Sequence, residues 1–337
     1  MISRRTFLKR AVATAAVLPV AGCSRESEIW GLGRWSGAAY RKPKRSPVAV
    51  LSADRYRPEL EKTVREGLEL FSVPIAGKHV VLKPNLVEFD PGGLINTHPM
   101  LVAATISALR TLGARSVTVA EGPGHRRDNE HLLTASGLWE VLRDFDVDYV
   151  DLNHDRTSPV KLATRFTDLR TLHLPRTVLE ADLLISMPKM KTHHWAGATL
   201  SMKNLFGIMP GVVYGWPKNV LHYAGIENSI IDINGAIPCE RFAIVDGIVG
   251  MEGNGPIQGT AKQANVLLFG DDFVAVDATA ARLMMLDPLQ VGYLWQASAF
   301  LGNVERDRIE MVGEDPQRLA TNFEVIDSFR KLKAERG

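Results

Sequence analysis

Lys189, Lys191, His193, His194 and Lys203 fall within fifteen residues of one another, directly after the apolar run 181–187. A donor set this dense, flanked by Met187, Met190, Trp195, Leu200 and Phe206, suits a partly buried anion site better than a solvated basic loop. Asn204 adds an amide to that set. The adjacent histidines make a poor metal pair because neighbouring side chains diverge, so His193 is read as a proton carrier. Lys83 and Asn85 follow a second apolar run, 79–82, and Asn96, Thr97, His98 and Pro99 open the next helical pattern. A cation, an amide and a helix N-terminus there would favour an anion, although Asn96 or Thr97 capping that helix is the plainer reading of those two residues. Glu121 opens the turn Glu121-Gly122-Pro123-Gly124-His125, whose glycine spacing is not that of a dinucleotide-binding loop. Asp246 begins a glycine-rich stretch that carries Glu252 and Asn254 before Pro256. These two carboxylates and an amide suit either a hard divalent cation, with Asp246 and Glu252 as ligands, or acid–base work. Asp277 lies four residues after Phe273 and three before Ala280, on the apolar face of the helical pattern 272–286. A carboxylate there must handle protons at a site or serve as a structural pair or cap.

The elements that would position these residues alternate. Short β-branched runs at 48–51, 79–82 and 116–120 are each followed by helical patterns, at 59–71, 99–112 and 129–142. Two further buried strands are expected at 181–187 and 242–246. This rhythm predicts an α/β fold with a mostly parallel sheet flanked by helices, as one large domain or two lobes around a cleft. In such sheets ligands sit off the carboxyl ends of the strands, so the loops after them are where function is expected.

The N-terminus reads as an export leader of the twin-arginine type. Arg4 and Arg5 precede Phe7, Leu8 and Lys9, and the uncharged run 11–20 is too short for a membrane span. Its end, Val20-Ala21-Gly22-Cys23, resembles the lipobox of bacterial lipoproteins, which makes Cys23 the expected lipidation site. Residues 1–22 are therefore assigned to the leader, 23–47 to a tether and 48–337 to the body. An extracytoplasmic, periplasmic and lipid-anchored protein is expected, handled by the export machinery. Without residues 1–22 the formal charge falls from +2 to −2, and the body from Val48 stands near −6, so no basic footprint for nucleic acid exists. Two cysteines, Cys23 and Cys239, cannot ligate an iron–sulfur cluster through four thiolates. Replacing Arg4 and Arg5 with lysine is expected to hold the precursor in the cytoplasm, and Cys23→Ser to move the protein from the membrane to the soluble fraction. Cell fractionation reads both, and unchanged export or retention would remove the leader or the anchor from the account.

Lys83-Pro84-Asn85, Lys189-Met190-Lys191-Thr192-His193, Lys203-Asn204-x-x-Gly207, Asp246-Gly247 with Glu252-Gly253-Asn254-Gly255-Pro256, and Asp277 occur in an order that resembles domain-of-unknown-function family 362 of bacteria and archaea, over about residues 48–288. Many relatives carry fused ferredoxin-like clusters, which this chain lacks. The resemblance implies a fold and little chemistry, so function rests on the site. The leading expectation is an enzyme acting on a small anion, a carboxylate or phosphate. Lys83, Asn85, Glu121, Lys189, Lys191, Lys203, Asn204 and Asn254 would bind it, and His193, Asp246, Glu252 and Asp277 would handle protons or a divalent ion. The alternatives are a non-catalytic anion-binding lipoprotein and a maturation or assembly factor for a partner protein. No Gly-x-Ser-x-Gly elbow follows any expected strand, which argues against a Ser-His-Asp hydrolase.

Overall fold

The computed structural model describes residues 33–89, 91–124 and 128–333. Arg4, Arg5, Cys23 and His125 lie outside them. Along the chain run β1 (Ser46–Ser52), α1 (Leu60–Glu69), β2 (His79–Pro84), α2 (Pro99–Thr111), β3 (Ser116–Glu121), α3 (Asn129–Ala135), α4 (Leu138–Asp144) and β4 (Asp148–Asp151). A small hairpin follows, β5 (Thr157–Lys161) with β6 (Thr171–Pro175), then β7 (Leu183–Met187), β8 (Lys189–His193), β9 (Gly197–Thr199) and the short helix α5 (Ser201–Asn204). The last elements of the frame are α6 (Ile226–Ala236), β10 (Glu240–Asn254), β11 (Gln258–Gly270), α7 (Phe273–Leu283) and β12 (Ile309–Gly313).

The main sheet has the order β12-β1-β11-β10-β7-β2-β3-β4. Every neighbouring pair is parallel except those made by β11, which runs antiparallel to β1 and β10. The expected mostly parallel α/β sheet is thus what the chain forms. Alternation along the strands buries both faces: Val48, Val50, Val81 and Leu184 enter one core, while Ala49, Leu51, Val80, Leu82, Leu183 and Ile185 enter the other. Residues of α1 to α4 cover the second face, and those of α5, α6 and α7 the first.

Local chemistry sets the element ends. Pro99 starts α2, and the cap is His98, whose Nδ1 accepts from the Met100 amide at 3.1 Å; Asn96 and Thr97 do not cap it. Asp272 caps α7 by accepting from Val274 and Ala275. The pattern at 129–142 is broken into α3 and α4 because Gly137 takes φ 76°.

Three expectations are corrected. Residues 188–195 were expected as a loop, but 189–193 form β8, which continues past Pro188 alongside β10. The stretch from Asp246 is likewise strand: β10 runs on to Asn254, with a bulge between Gly247 and Val249. Its glycines serve close packing, since a Cβ at Gly250 would meet the Met190 carbonyl at 2.7 Å and the Phe323 ring at 2.9 Å. The packed body also begins earlier than Val48. Trp35 stacks on Phe300 with centroids 4.8 Å apart, Tyr40 bonds the Gly235 carbonyl at 2.8 Å and Lys42 the Ser298 carbonyl at 2.8 Å. Two aromatic side chains give the second half of the expected tether something to bury.

Candidate functional site

The carboxyl ends of β2 and β3 lie side by side, with Leu82 opposite Val119. That places Lys83 and Glu121 together as a buried ion pair. Lys83 Nζ also donates to Asn204 Oδ1 at 3.1 Å and to the Pro84 carbonyl at 2.9 Å. Asn204 in turn donates to the Lys83 carbonyl at 3.1 Å and to Ser186 Oγ at 3.0 Å, locking α5 to β2 and β7. Glu121 accepts from the Gly122 and Leu86 amides at 2.9 and 3.2 Å. Gly207 packs directly on this pair, and a Cβ there would collide with the Glu121 carboxylate and the Lys83 ammonium. The Lys203-Asn204-x-x-Gly207 spacing therefore has a steric basis: lysine and amide enter the site from α5, and the glycine lets the following turn close over it.

Around this pair lies a cavity of about 340 Å³ lined by Lys83, Glu121, Lys191, Lys203 and Lys218 among the charged residues, with His193, His194 and His222. Lys83 and Lys191 are 0% exposed and Lys218 1%, whereas Lys203 is partly exposed. Among the described residues Glu121 is the one carboxylate in the lining. Lys191 bonds the carbonyls of Ile95 and Pro256 at 2.8 and 3.3 Å, Lys218 bonds Asn153, and Lys203 stands 4.6 Å from the centroid of the Phe206 ring. Burial and the neighbouring Lys203 and Lys189 push the Lys191 ammonium well below the ordinary lysine range. Burial likewise brings Lys203 and Lys218 down to about 8, opposed in both by Glu121. Asn85 Oδ1 and Thr199 Oγ1 are buried, belong to lining residues and have no hydrogen-bond partner among the described residues.

The histidines present opposite faces. His193 Nδ1 accepts from the Trp195 and Ala196 amides at 3.0 and 3.1 Å, so the proton of its neutral ring sits on Nε2. Burial and the neighbouring Lys203 and Lys191 push His193 well below the usual histidine range, which keeps that ring neutral. His194 Nδ1 faces the Gly255 carbonyl at 2.7 Å and must donate to it, leaving the Nε2 lone pair free to accept.

The structure thus gathers Lys83, Asn85, Glu121, Lys191, His193, Lys203 and Asn204 at one cavity, and leaves five expected site residues elsewhere. Lys189 and Asp246 form a buried ion pair at 2.7 Å beside Tyr56, whose hydroxyl donates to Asp246 at 2.7 Å. The His98 amide donates to the same carboxylate at 3.0 Å, so the N-terminus of α2 faces Asp246 rather than the cavity. Glu252 pairs with Lys262 at 3.2 Å and accepts from the Glu324 amide at 2.8 Å. Asn254 bonds Gln258 across the tip of the hairpin. Asp246 and Glu252 are held by different partners and do not form a ligand pair; among the described residues no three His, Cys, Asp or Glu side chains gather as a cation would need. The reason is the strand: once Asp246 to Asn254 is extended, the six residue steps from Asp246 to Glu252 hold the two carboxylates about 20 Å apart along it, too far to share an ion.

Asp277 is fully buried and accepts from the Ser201 and Met202 amides at 2.7 and 2.9 Å, so it caps α5 from across the core. Burial pushes its carboxyl up to about 7, against those two amides. The folded chain therefore holds a proton that the unfolded chain releases at lower pH. This group's contribution to stability falls as pH rises from about 4 to about 7. Asp277→Leu is expected to cost about 2–5 kcal/mol through two orphaned amides, and Asp277→Asn to remove the pH slope. Thermal melts between pH 4 and 8 check both, and an unchanged melting temperature for the leucine variant would make Asp277 something other than a cap.

Lys218 and His222 were not anticipated, because they reach the cavity from the region between α5 and α6 and not from a strand end. The Pro- and Gly-rich turn before Lys218 was the available signal.

The chain is similar to several known proteins. It is 28% identical over 223 residues to the thylakoid-associated protein sll1697 of Synechocystis sp. (strain ATCC 27184 / PCC 6803 / Kazusa), a stretch covering 64% of this chain and 65% of that relative, just under two thirds of its length. Among solved structures, the lactate racemase apoprotein from Thermoanaerobacterium thermosaccharolyticum is similar at 13% identity and a TM-score of 0.45, covering 73% of this chain and 58% of that one. A protein from Thermotoga maritima is similar at 15% identity and a TM-score of 0.37, covering 66% and 57%. The family model described as domain of unknown function (DUF362) matches residues 80–282, a span that takes in Lys83, Glu121, the lysine strand, Lys203 and Asp277. The chain belongs to that family.

Proposed function

We propose that the cavity binds a small molecule bearing a carboxylate or phosphate, and that the chain acts on it as an enzyme. The observation that carries the reading is the charge imbalance of the lining: four lysines against the single carboxylate of Glu121, with three of the lysines at most 1% exposed. Burying ammonium groups without counter-charges is costly, and an anion supplied from solution offsets that cost while donors stand ready for it. The unpartnered Asn85 and Thr199 oxygens support a ligand with donors of its own, such as a hydroxyl or protonated acid. The two histidines favour catalysis over simple capture, because the Nε2 acceptor of His194 can take a proton while the neutral Nε2–H of His193 can hydrogen-bond an oxygen on which charge develops.

Titration calorimetry with inorganic phosphate, sulfate, succinate and citrate tests the binding step. Because Lys203 and Lys218 sit near 8, both are charged at pH 7 and largely neutral at pH 9. Affinity is expected to fall about ten- to a hundredfold between those values. No binding by any of these anions at pH 7, or affinity that is flat across that range, would sink the reading.

The leader pattern supports a further proposal, that the chain is exported by the twin-arginine route and held at the membrane through Cys23. Among the described residues no helix is long and apolar enough to cross a membrane.

A further inference from the structure

Resting on the proposed anion site, we infer that its ligand is amphipathic, with a charged head on the buried lysines and an apolar body leaving through the mouth. The cavity is divided by depth. Three of its four lysines, Lys83, Lys191 and Lys218, lie deep, and Lys203 keeps partial solvent access. Beside Lys203, His194 and His222, the side chains that keep solvent access in the lining are apolar: Val87, Trp195, Pro217, Pro256 and Ile257. Trp195 is 59% exposed and packs edge-on to His222 with centroids 5.6 Å apart. A bare oxyanion would fill only a small part of 340 Å³ and would leave these side chains wet. An acid with a hydrocarbon or aromatic body fills the space and covers them.

The test is an alkyl phosphate series, from inorganic phosphate through methyl and butyl to octyl phosphate below its micelle concentration, titrated into the full chain. Affinity is expected to rise about threefold to fourfold per methylene until the tail clears the mouth. Trp195→Ser should remove part of that gain while leaving inorganic phosphate binding unchanged, and Ile257→Asn gives a second, independent variant on the mouth. Lys203→Met with Lys218→Met should weaken every member of the series alike. Equal affinity along the series, or a tail gain untouched by both mouth variants, would overturn the amphipathic ligand while leaving the anion site standing; failure of every member to bind would remove the anion site itself. Vesicles containing phosphatidic acid distinguish the source. Capture that octyl phosphate reverses places the amphiphile in a membrane, and tight octyl phosphate binding without capture makes it a free molecule.

Discussion

Asp246→Leu is expected to destabilise the chain by about 3–5 kcal/mol, the usual result of leaving one member of a buried pair without its partner. The carboxylate is fully buried and accepts from Lys189 Nζ at 2.7 Å, the Tyr56 hydroxyl at 2.7 Å and the His98 amide at 3.0 Å. Removing it strands an ammonium with only the Tyr56 hydroxyl, at 2.9 Å, for company. Tyr56 is stacked on His98 at 3.7 Å between centroids, so the cluster ties the segment after β1 to the start of α2. Burial brings His98 down to about 4, which keeps the stacked ring neutral. The double variant Asp246→Leu with Lys189→Met should recover most of the loss, because two apolar groups of similar size need no partners. Denaturant melts of the single and double variants decide it. The double variant should also keep its anion affinity, since neither residue lines the cavity; a double variant that is stable but has lost binding would return Lys189 and Asp246 to the site.

Lys203→Met combined with Lys218→Met is expected to move stability and binding in opposite directions. Each lysine can supply a charge-assisted contact of about 1.5–3 kcal/mol to an anion, so losing both should weaken binding by about a hundredfold or more. Among the described residues neither pairs with a carboxylate: Lys218 bonds the Asn153 amide oxygen and Lys203 lies over Phe206. Methionine keeps the buried stem and removes the desolvated charge, so the melting temperature should hold or rise. A drop in stability with unchanged affinity would make these lysines scaffold.

The sheet was legible because its strands are buried on both faces. Runs such as 48–51 and 80–82 are apolar throughout and alternate with helical patterns, which is the signature of parallel pairing. Lys83, Glu121, Lys191 and Lys203 were legible for the same reason, since three come from strands that share a direction and the fourth from α5, the helix that follows β9. The stretch from Asp246 misled because glycines that normally mark a loop are here set by close packing against Met190, Val266 and Phe323, a tertiary constraint that no local pattern carries. Asp277 read correctly as a carboxylate on an apolar face, but its partners are amides 75 and 76 residues away, and distance in sequence hides such pairs. Tyr56 and Lys218 escaped because each acts from a connecting segment.

The central claim is that buried, partly deprotonated lysines receive an anion, and proton linkage measures it most directly. The tightest-binding anion of the phosphate, sulfate, succinate and citrate set is titrated calorimetrically at pH 8.5 in two buffers of different ionisation enthalpy, with correction for the anion's own titration. With Lys203 and Lys218 near 8, binding should draw in about one proton or more per anion, and the double methionine variant, which keeps Lys191, should draw in fewer. Binding without proton uptake, or uptake undiminished in the variant, would contradict the account.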